Sequence, residues 1–195
     1  KMAKKVNMTL VNKQLSRNKS FQSAMRKTVV KTVDSSKRRL IQEFSQHPVT
    51  REIEGGASSP NISGTLGGYG NLFTFIGFLA GTTPTLDVRR MLETVRLENA
   101  KMGKVSRKKV SIDIGMNMPS KGSFSAATPL PFGGGRSWLY GIEQGISGFG
   151  SYMYKKWKTS RSGHGIQTQK KIRAGGFKNT SYFSSMLLAF TKRIR

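Results

Sequence analysis

The distribution of charge along the chain constrains its fold more than any other sequence feature. The 195 residues carry 34 Lys and Arg against 9 Asp and Glu, a formal net charge of +25. All nine acidic residues lie between Asp34 and Glu143, whereas residues 1–33 hold nine bases and residues 144–195 hold eleven. Segments of one sign repel each other unless an anionic partner neutralises them. We therefore expect basic terminal arms that contact a polyanion or an acidic protein surface; the alternative is a solvated surface that aids solubility.

Composition excludes several classes of protein. The absence of cysteine rules out disulfides, a thiolate nucleophile and zinc sites with Cys ligands, and two histidines are too few for a His-based metal cluster. We predict no cofactor and no metal. The longest apolar run, Leu72 to Ala80, is far shorter than the roughly 20 residues of a membrane span. The basic start lacks an apolar signal-peptide core, so we expect a soluble, non-secreted chain without a membrane partner.

The first part of the chain divides into an arm and a long helix. Residues 1–19 have weak periodicity, which predicts a flexible basic N-terminal arm, and residues 20–195 are predicted to form a single domain. From Ser20, apolar residues recur at helical spacing up to Pro48, and Asn18 or Ser20 can cap that helix. Its polar face is interpreted as an ordinary solvated face in preference to a phosphate contact, and carries Arg26, Lys27, Lys31, Lys37 and Arg38.

The middle of the chain predicts a strand with helices on either side. Residues 110–118 alternate between apolar and polar side chains, which is typical of a strand with one buried face. Residues 71–78 are aromatic and β-prone, which predicts either a strand or an apolar loop tip. Thr83-Pro84 can begin a short helix that extends to about Ala100.

The last third of the chain gives further predictions. They are a loop over 119–135, a glycine-interrupted helical stretch from Trp138 to Met153, a strand from Ile166 to Ile172, a turn at Gly175-Gly176 and a last helix from Ser181 to Arg193. The predicted fold class is α+β, with an antiparallel sheet packed against a long N-terminal helix and later helices, and with flexible basic termini.

No motif points to catalysis. Glu52 and Glu54 share a face only in an extended segment, and without a third ligand they are interpreted as surface charge. His47 precedes Pro48 and is predicted to end the first helix, and His164 lies in a basic loop. The glycine-rich run 55–70 lacks a Gly-Lys-Ser/Thr ending, which argues against a nucleotide site, and no Gly-x-Ser-x-Gly elbow is present. We predict that the chain is not an enzyme.

Two stretches are more specific than the rest. The first reads HPVTREIE at 47–54 and SGTLGGYGNLFTFIGF at 63–78; the second reads PF at 131–132, GRSW at 135–138 and GIEQGISG at 141–148. Together they resemble a family of structural virion proteins of contractile-tailed, T-even-like phages of marine bacteria (cyanophages). The order of predicted elements is also similar to that of the tail-completion (head–tail joining) proteins of the phage neck. The resemblance covers about residues 20–195.

The resemblance implies a virion component, assembled in the host cytoplasm and repeated as a homo-oligomeric ring around the tail axis. Its partners would be other neck, tail or connector proteins, with non-specific DNA contact by the basic arms. Two alternatives remain open: a basic RNA-binding protein of ribosomal type, and a baseplate protein of the same virion. The RNA-binding alternative is supported by the high charge, although no RNA-binding module signature is present.

The sequence offers two sets of candidate contact residues, one for an anionic partner and one for neighbouring subunits. Aromatic side chains alternate with bases after residue 151, a mixture that can stack on single-stranded nucleic acid or line a protein contact. The residues predicted to contact nucleic acid or an acidic partner are Lys155, Lys156, Lys158, Arg161, Lys170, Lys171 and Arg173. Apolar loops could instead dock on neighbouring subunits, although burial within the same chain is the default interpretation. The residues predicted for subunit docking are Leu72, Phe73, Phe75, Phe78, Phe132 and Trp138.

Overall fold

The computed structural model describes residues 7–66, 70–131, 135–144 and 180–194, together with the strand backbone at 152–155 and 165–168. Helices within these residues are α1 (Met8–Arg17), α2 (Lys19–Gln46), α3 (Pro48–Glu54), α4 (Leu72–Ile76), α5 (Thr85–Glu93), α6 (Lys121–Ala127), α7 (Trp138–Gln144) and α8 (Phe183–Arg193), with a 3-10 turn at Gly56–Ser58. The strands are β1 (Arg96–Val105), β2 (Val110–Asn117), β3 (Tyr152–Lys155) and β4 (Gly165–Thr168). Helices and small antiparallel sheets in one chain make an α+β protein, as predicted.

The long helix α2 is confirmed. The Asn18 side chain accepts a hydrogen bond from the backbone N–H of Phe21 at 3.1 Å, as an N-cap does. Its buried apolar residues recur at helical spacing on one face: Val29, Val33, Leu40 and Phe44. The helix ends at Gln46, because His47 is extended and Pro48 begins α3. His47 thus ends one helix, as predicted, and caps the next.

The N-terminal segment is more regular than the sequence indicates. Residues 8–17 form α1, which begins where the Asn7 side chain accepts from the N–H groups of Thr9 and Leu10. The Asn12 side chain donates to the carbonyl of Ser106 at 2.9 Å, which fastens α1 to the turn between β1 and β2. Residues 8–17 of the predicted arm are thus helical and contact the hairpin, which their weak periodicity did not indicate; residues 1–6 lie outside the described part.

Two local predictions in the middle of the chain are also wrong. Residues 72–76 form the short helix α4, since the Asn71 side chain caps it through the N–H of Thr74 and Gly77 ends it at a φ of +85°. Helix α5 ends at Glu93, well before Ala100. The chain instead enters β1 at Arg96, because β2 supplies a pairing partner that is not visible in local sequence.

The strand predicted over residues 110–118 is confirmed as β2, which pairs antiparallel with β1. The register aligns Ala100 with Ile114 and Met102 with Ile112. Their side chains are half-buried, so this two-stranded sheet covers the helices only partly. Strands β3 and β4 form a second antiparallel pair, which partly overlaps the strand predicted from Ile166 to Ile172.

The later helices differ from the predictions mainly at their ends. Helix α6 interrupts the loop predicted over 119–135, because the Ser120 side chain caps it through the N–H of Ser123 at 3.0 Å. Helix α7 takes up the start of the helical stretch predicted from Trp138 to Met153, and residues 145–151 lie outside the described part. The end of that prediction is wrong, because Tyr152 and Met153 belong to β3. Helix α8 confirms the predicted last helix. The turn predicted at Gly175-Gly176 lies outside the described residues.

The core lies between the second half of α2 and helices α3 to α8. Its largest fully buried side chains are Trp138, Tyr182, Phe44, Phe124 and Phe183. Ring centroids of Phe124 and Phe183 lie 4.7 Å apart in an edge-on arrangement that aromatic pairs favour. No helix within the described residues is both long enough and apolar enough to cross a lipid bilayer.

Candidate anion-binding surface

One end of the molecule carries a large excess of basic over acidic side chains. Helix α1, the first half of α2 and the hairpin of β1 and β2 form what we call the basic end, which comprises residues 7–33 and 100–112. These two segments contain eleven Lys and Arg and no Asp or Glu. All eleven side chains are exposed: Lys13, Arg17, Lys19, Arg26, Lys27, Lys31, Lys101, Lys104, Arg107, Lys108 and Lys109.

Tertiary contacts bring these two segments together. Helix α1 packs against both α2 and β1, and α2 packs against β1. The Asn12 side chain bonds to the carbonyls of Ser106 and Arg107, at 2.9 and 3.3 Å. This contact holds the turn that carries Arg107, Lys108 and Lys109 beside α1. Bases that lie about ninety residues apart in the chain therefore share one surface.

A groove of about 490 Å³ runs between α2 and the hairpin. Half-buried apolar side chains of Met25, Met102 and Ile112 line it. Three further lining residues, Lys19, Arg26 and Lys101, are exposed cations. A cationic rim over an apolar floor suits an extended anion that also presents apolar groups, such as a nucleic acid backbone with its sugars.

The cations of the basic end have no acidic partners among the described residues. The ion pairs among the described residues join Arg39 and Arg193 to Glu43, Arg89 to Glu54, and Arg90 to Asp87. None of them involves the basic end. Asp113 lies opposite Lys101 in the sheet register without forming an ion pair, and an anion that binds to the basic end would release the counterions that accompany its cations.

The sequence-predicted contact residues after position 151 fall largely outside the described part. Lys155 ends β3, where the backbone alone is described. Lys156, Lys158, Arg161, Lys170, Lys171 and Arg173 lie outside the described residues. The predicted polar face of α2 is mostly exposed, but Lys37 is half-buried and its ammonium group donates to the carbonyl of Glu93 at 3.4 Å.

Five of the six residues predicted for subunit docking lie within the chain's own core or against it. Leu72, Phe73 and Trp138 are at most 3% exposed. Phe75 and Phe78 are half-buried against the same core, with the ring centroid of Phe78 5.7 Å from that of Trp138. These side chains contribute to folding instead of presenting an exposed docking surface. Phe132 lies outside the described residues.

Glu52 is fully buried, which corrects its interpretation as surface charge. Its two carboxylate oxygens each accept a backbone hydrogen bond at 2.7 Å, one from Ser63 and one from Leu72. The carboxylate thus fastens the middle of the glycine-rich run, at Ser63, and the start of α4, at Leu72, to α3. Glu54 is partly exposed and accepts from the Thr85 hydroxyl and the Arg89 guanidinium at 2.8 and 2.9 Å. Both carboxylates have structural partners.

His47 is also held by structural contacts. Its Nδ1 accepts from the N–H of Val49 at 3.3 Å, and its ring lies 4.7 Å from that of Tyr182. Burial lowers the pKa of His47 below its ordinary value, while a hydrogen bond with the backbone of Ser181 opposes part of that shift. His164 lies outside the described residues. In the described part of the chain, no group of three or more His, Asp or Glu side chains is arranged to hold a metal ion.

Sequence reasoning missed the hairpin half of the basic end. The run of Arg107, Lys108 and Lys109 was a visible signal, but the middle of the chain is nearly balanced in charge. The structure is needed to show that these bases share a surface with those of α1 and α2, whereas most acids other than Asp34, Glu98 and Asp113 lie toward the other helices. Comparison of the chain with protein-family models, with curated proteins and with solved structures finds no match.

Proposed function

We propose that the chain is a structural, non-enzymatic subunit that binds a nucleic acid backbone through its basic end. The observation that carries this proposal is the set of eleven exposed cations that α1, α2 and the hairpin bring together, with only Asp34 and Asp113 as acids at the margin of this surface. Lys and Arg on such a surface attract phosphates over a long range and gain affinity by releasing counterions. We expect no recognition of the nucleotide sequence, because contacts to phosphates carry no sequence information.

We further propose that this subunit belongs to a phage virion, at the neck of a contractile tail. The support is the resemblance of residues 47–78 and 131–148 to structural proteins of T-even-like marine phages. The order of the described elements, a long helix followed by an antiparallel hairpin and later helices, is compatible with a tail-completion fold. In that setting, repeated subunits would form a ring whose basic ends contact DNA in the channel and whose other surfaces dock on neck, tail or connector proteins.

A binding experiment with matched variants tests the first proposal. Anisotropy of a labelled DNA duplex of about 20 base pairs is measured at salt concentrations from about 50 to 200 mM. The double substitution Arg26→Glu and Lys101→Glu reverses two rim cations of the groove. We expect it to weaken DNA binding by about tenfold or more and to flatten the dependence of affinity on salt.

The control reverses the same amount of charge elsewhere. Arg51 on α3 and Lys192 on α8 are exposed and lie outside the basic end. The variant Arg51→Glu with Lys192→Glu should bind DNA within about threefold of the unchanged protein. Equal losses in the two double variants would mean that net charge, and not this surface, drives binding, which contradicts the proposal. A strong preference for an RNA duplex over the DNA duplex would favour the RNA-binding alternative.

A further inference from the structure

The two outer edges of the β1–β2 sheet differ in how they are protected. Strand β1 has register shifts between Leu97 and Asn99 and between Met102 and Val105, where it carries extra residues. Such bulges twist an edge away from further pairing. Helices α1 and α2 also pack against β1. The β1 edge is therefore blocked both by its own irregularity and by its neighbours.

The β2 edge has none of this protection. Val110–Asn117 contains no proline, no lysine and no register shift of its own. Among the residues that the structure describes, the backbone groups of β2 bond only to β1. With respect to the described residues, this regular strand of eight residues thus leaves a row of unpaired N–H and C=O groups along its outer edge. An open edge of this length is a template for another strand, and a ribbon of two strands gains stability from a third.

We propose that the β2 edge accepts an extended, acidic segment of another protein as a third strand. Charge complementarity selects this occupant. Residues 101–109 of the hairpin carry five exposed Lys and Arg and no acid, so an acidic segment would be attracted to the edge that begins at Lys109. A second copy that pairs through its own β2 strand is a poorer occupant, because residues 110–117 offer a single acidic side chain, Asp113, to these five bases.

The side chains of β2 define the pattern of the segment. Ile112, Ile114 and Met116 are half-buried on one face, whereas Ser111 and Asp113 lie on the other. The added strand should therefore alternate apolar residues above the first face with small polar residues above the second. Its acidic residues should lie near the Lys109 end and not beside Asp113, where like charges would repel.

The probe is a nine-residue peptide in which Val and Thr alternate, with two Glu at one end. Two control peptides isolate its features: one carries Lys in place of both Glu, and the other is N-methylated at every backbone nitrogen and cannot pair as a strand. With the full-length chain we expect the Glu peptide to bind at least tenfold more tightly than either control. Amide hydrogen exchange should slow within 110–117 and stay unchanged in α2.

A charge variant gives a second measurement without altering the edge itself. Lys108→Glu with Lys109→Glu should weaken binding of the Glu peptide about fivefold or more, whereas Arg51→Glu with Lys192→Glu should leave it within about twofold. Three results would overturn the proposal: equal binding of the N-methylated peptide, binding without protection of 110–117, or a chain that forms dimers in which 110–117 is already protected.

Discussion

The basic end and the opposite end of the molecule are built on different principles. At the opposite end, which we call the packed end, α3 to α8 and the second half of α2 enclose side chains such as Phe44, Trp138 and Phe183 that are at most 1% exposed. At the basic end, α1 has no buried residue, and the side chains of β1 and β2 are at best half-buried. The free energy of folding therefore arises mainly at the packed end, while the basic end is free to carry unpaired charge.

The hydrogen bonding of polar side chains also differs between the packed end and the basic end. In the packed end, the Asn71 amide donates to the carbonyls of Gly56, Ala57 and Ser59 at 2.8 to 3.2 Å, and the Thr50 hydroxyl lies 2.6 Å from that of Tyr182. Buried groups of this kind must be hydrogen-bonded, since an unpaired one costs about 1–3 kcal/mol. The cations of the basic end remain hydrated and need no protein partner. Substitutions should therefore affect folding at one end and binding at the other.

The largest expected effect on stability is the loss of an aromatic side chain from the packed end. Trp138→Ala should lower the free energy of unfolding by about 3–5 kcal/mol, because it leaves a cavity in the core. Val30→Ala, at a 39% exposed position on the basic half of α2, should change it by less than about 0.5 kcal/mol. Urea unfolding followed by circular dichroism measures both. A folded Trp138→Ala protein of unchanged stability would contradict the assignment of Trp138 to the core and return it to subunit docking.

A smaller loss is expected at Glu52. Glu52→Gln replaces one of two accepting oxygens by an NH₂ group that cannot accept from a backbone N–H, so either Ser63 or Leu72 loses its partner. We expect a loss of about 2 kcal/mol in the free energy of unfolding. The matched control is Glu98→Gln, an exposed position on β1 where the same change should cost less than about 0.5 kcal/mol. Equal shifts in the two variants would mean that the buried carboxylate does not fasten this segment.

The smallest effect is the pH dependence contributed by His47. Since burial lowers its pKa in the folded state, the unfolded chain takes up a proton first as the pH falls. Stability from this residue is complete above the unfolded pKa of about 6.5, decreases below it and levels off below the folded pKa. The total should be the smallest of these effects, because the ring is only half-buried and the backbone of Ser181 opposes part of the shift.

Urea unfolding at intervals between about pH 8 and pH 5 measures this contribution. His47→Asn retains a side chain that can accept from the N–H of Val49 but removes the titration. The difference in stability between the two proteins should therefore shrink as the pH falls. A difference that is constant with pH would contradict the role given to His47.

Sequence patterns predicted the elements whose own residues specify them. Helices α2 and α8 and strand β2 have strong periodicity that extends over several turns or alternations. The residues of helix α4 were interpreted as a strand or an apolar loop tip because the stretch is aromatic and β-prone, although the cap at Asn71 determines the outcome. Strand β1 was missed because its pairing with β2 and its contact with α2 are tertiary. Local propensity carries no information about either.

The candidate site was predictable only in its chemistry. The excess of bases indicates an anionic partner, but the surface depends on the contact between Asn12 and the turn at Ser106, which joins segments about ninety residues apart. The burial of Glu52 was equally invisible, because its partners are backbone N–H groups, whose positions the folded chain alone determines. Sequence thus specified the sign of the charge, and packing specified its location.

The most direct test of the separation between the two ends is a map of lysine reactivity with and without a DNA duplex. Acetylation of each lysine is followed by mass spectrometry on the intact, folded chain. The account predicts that DNA protects the lysines of the basic end, among them Lys13, Lys19, Lys101 and Lys108. It predicts unchanged reactivity at Lys121 on α6 and Lys192 on α8. Equal protection of all these lysines, or protection confined to residues 155–171, would contradict it.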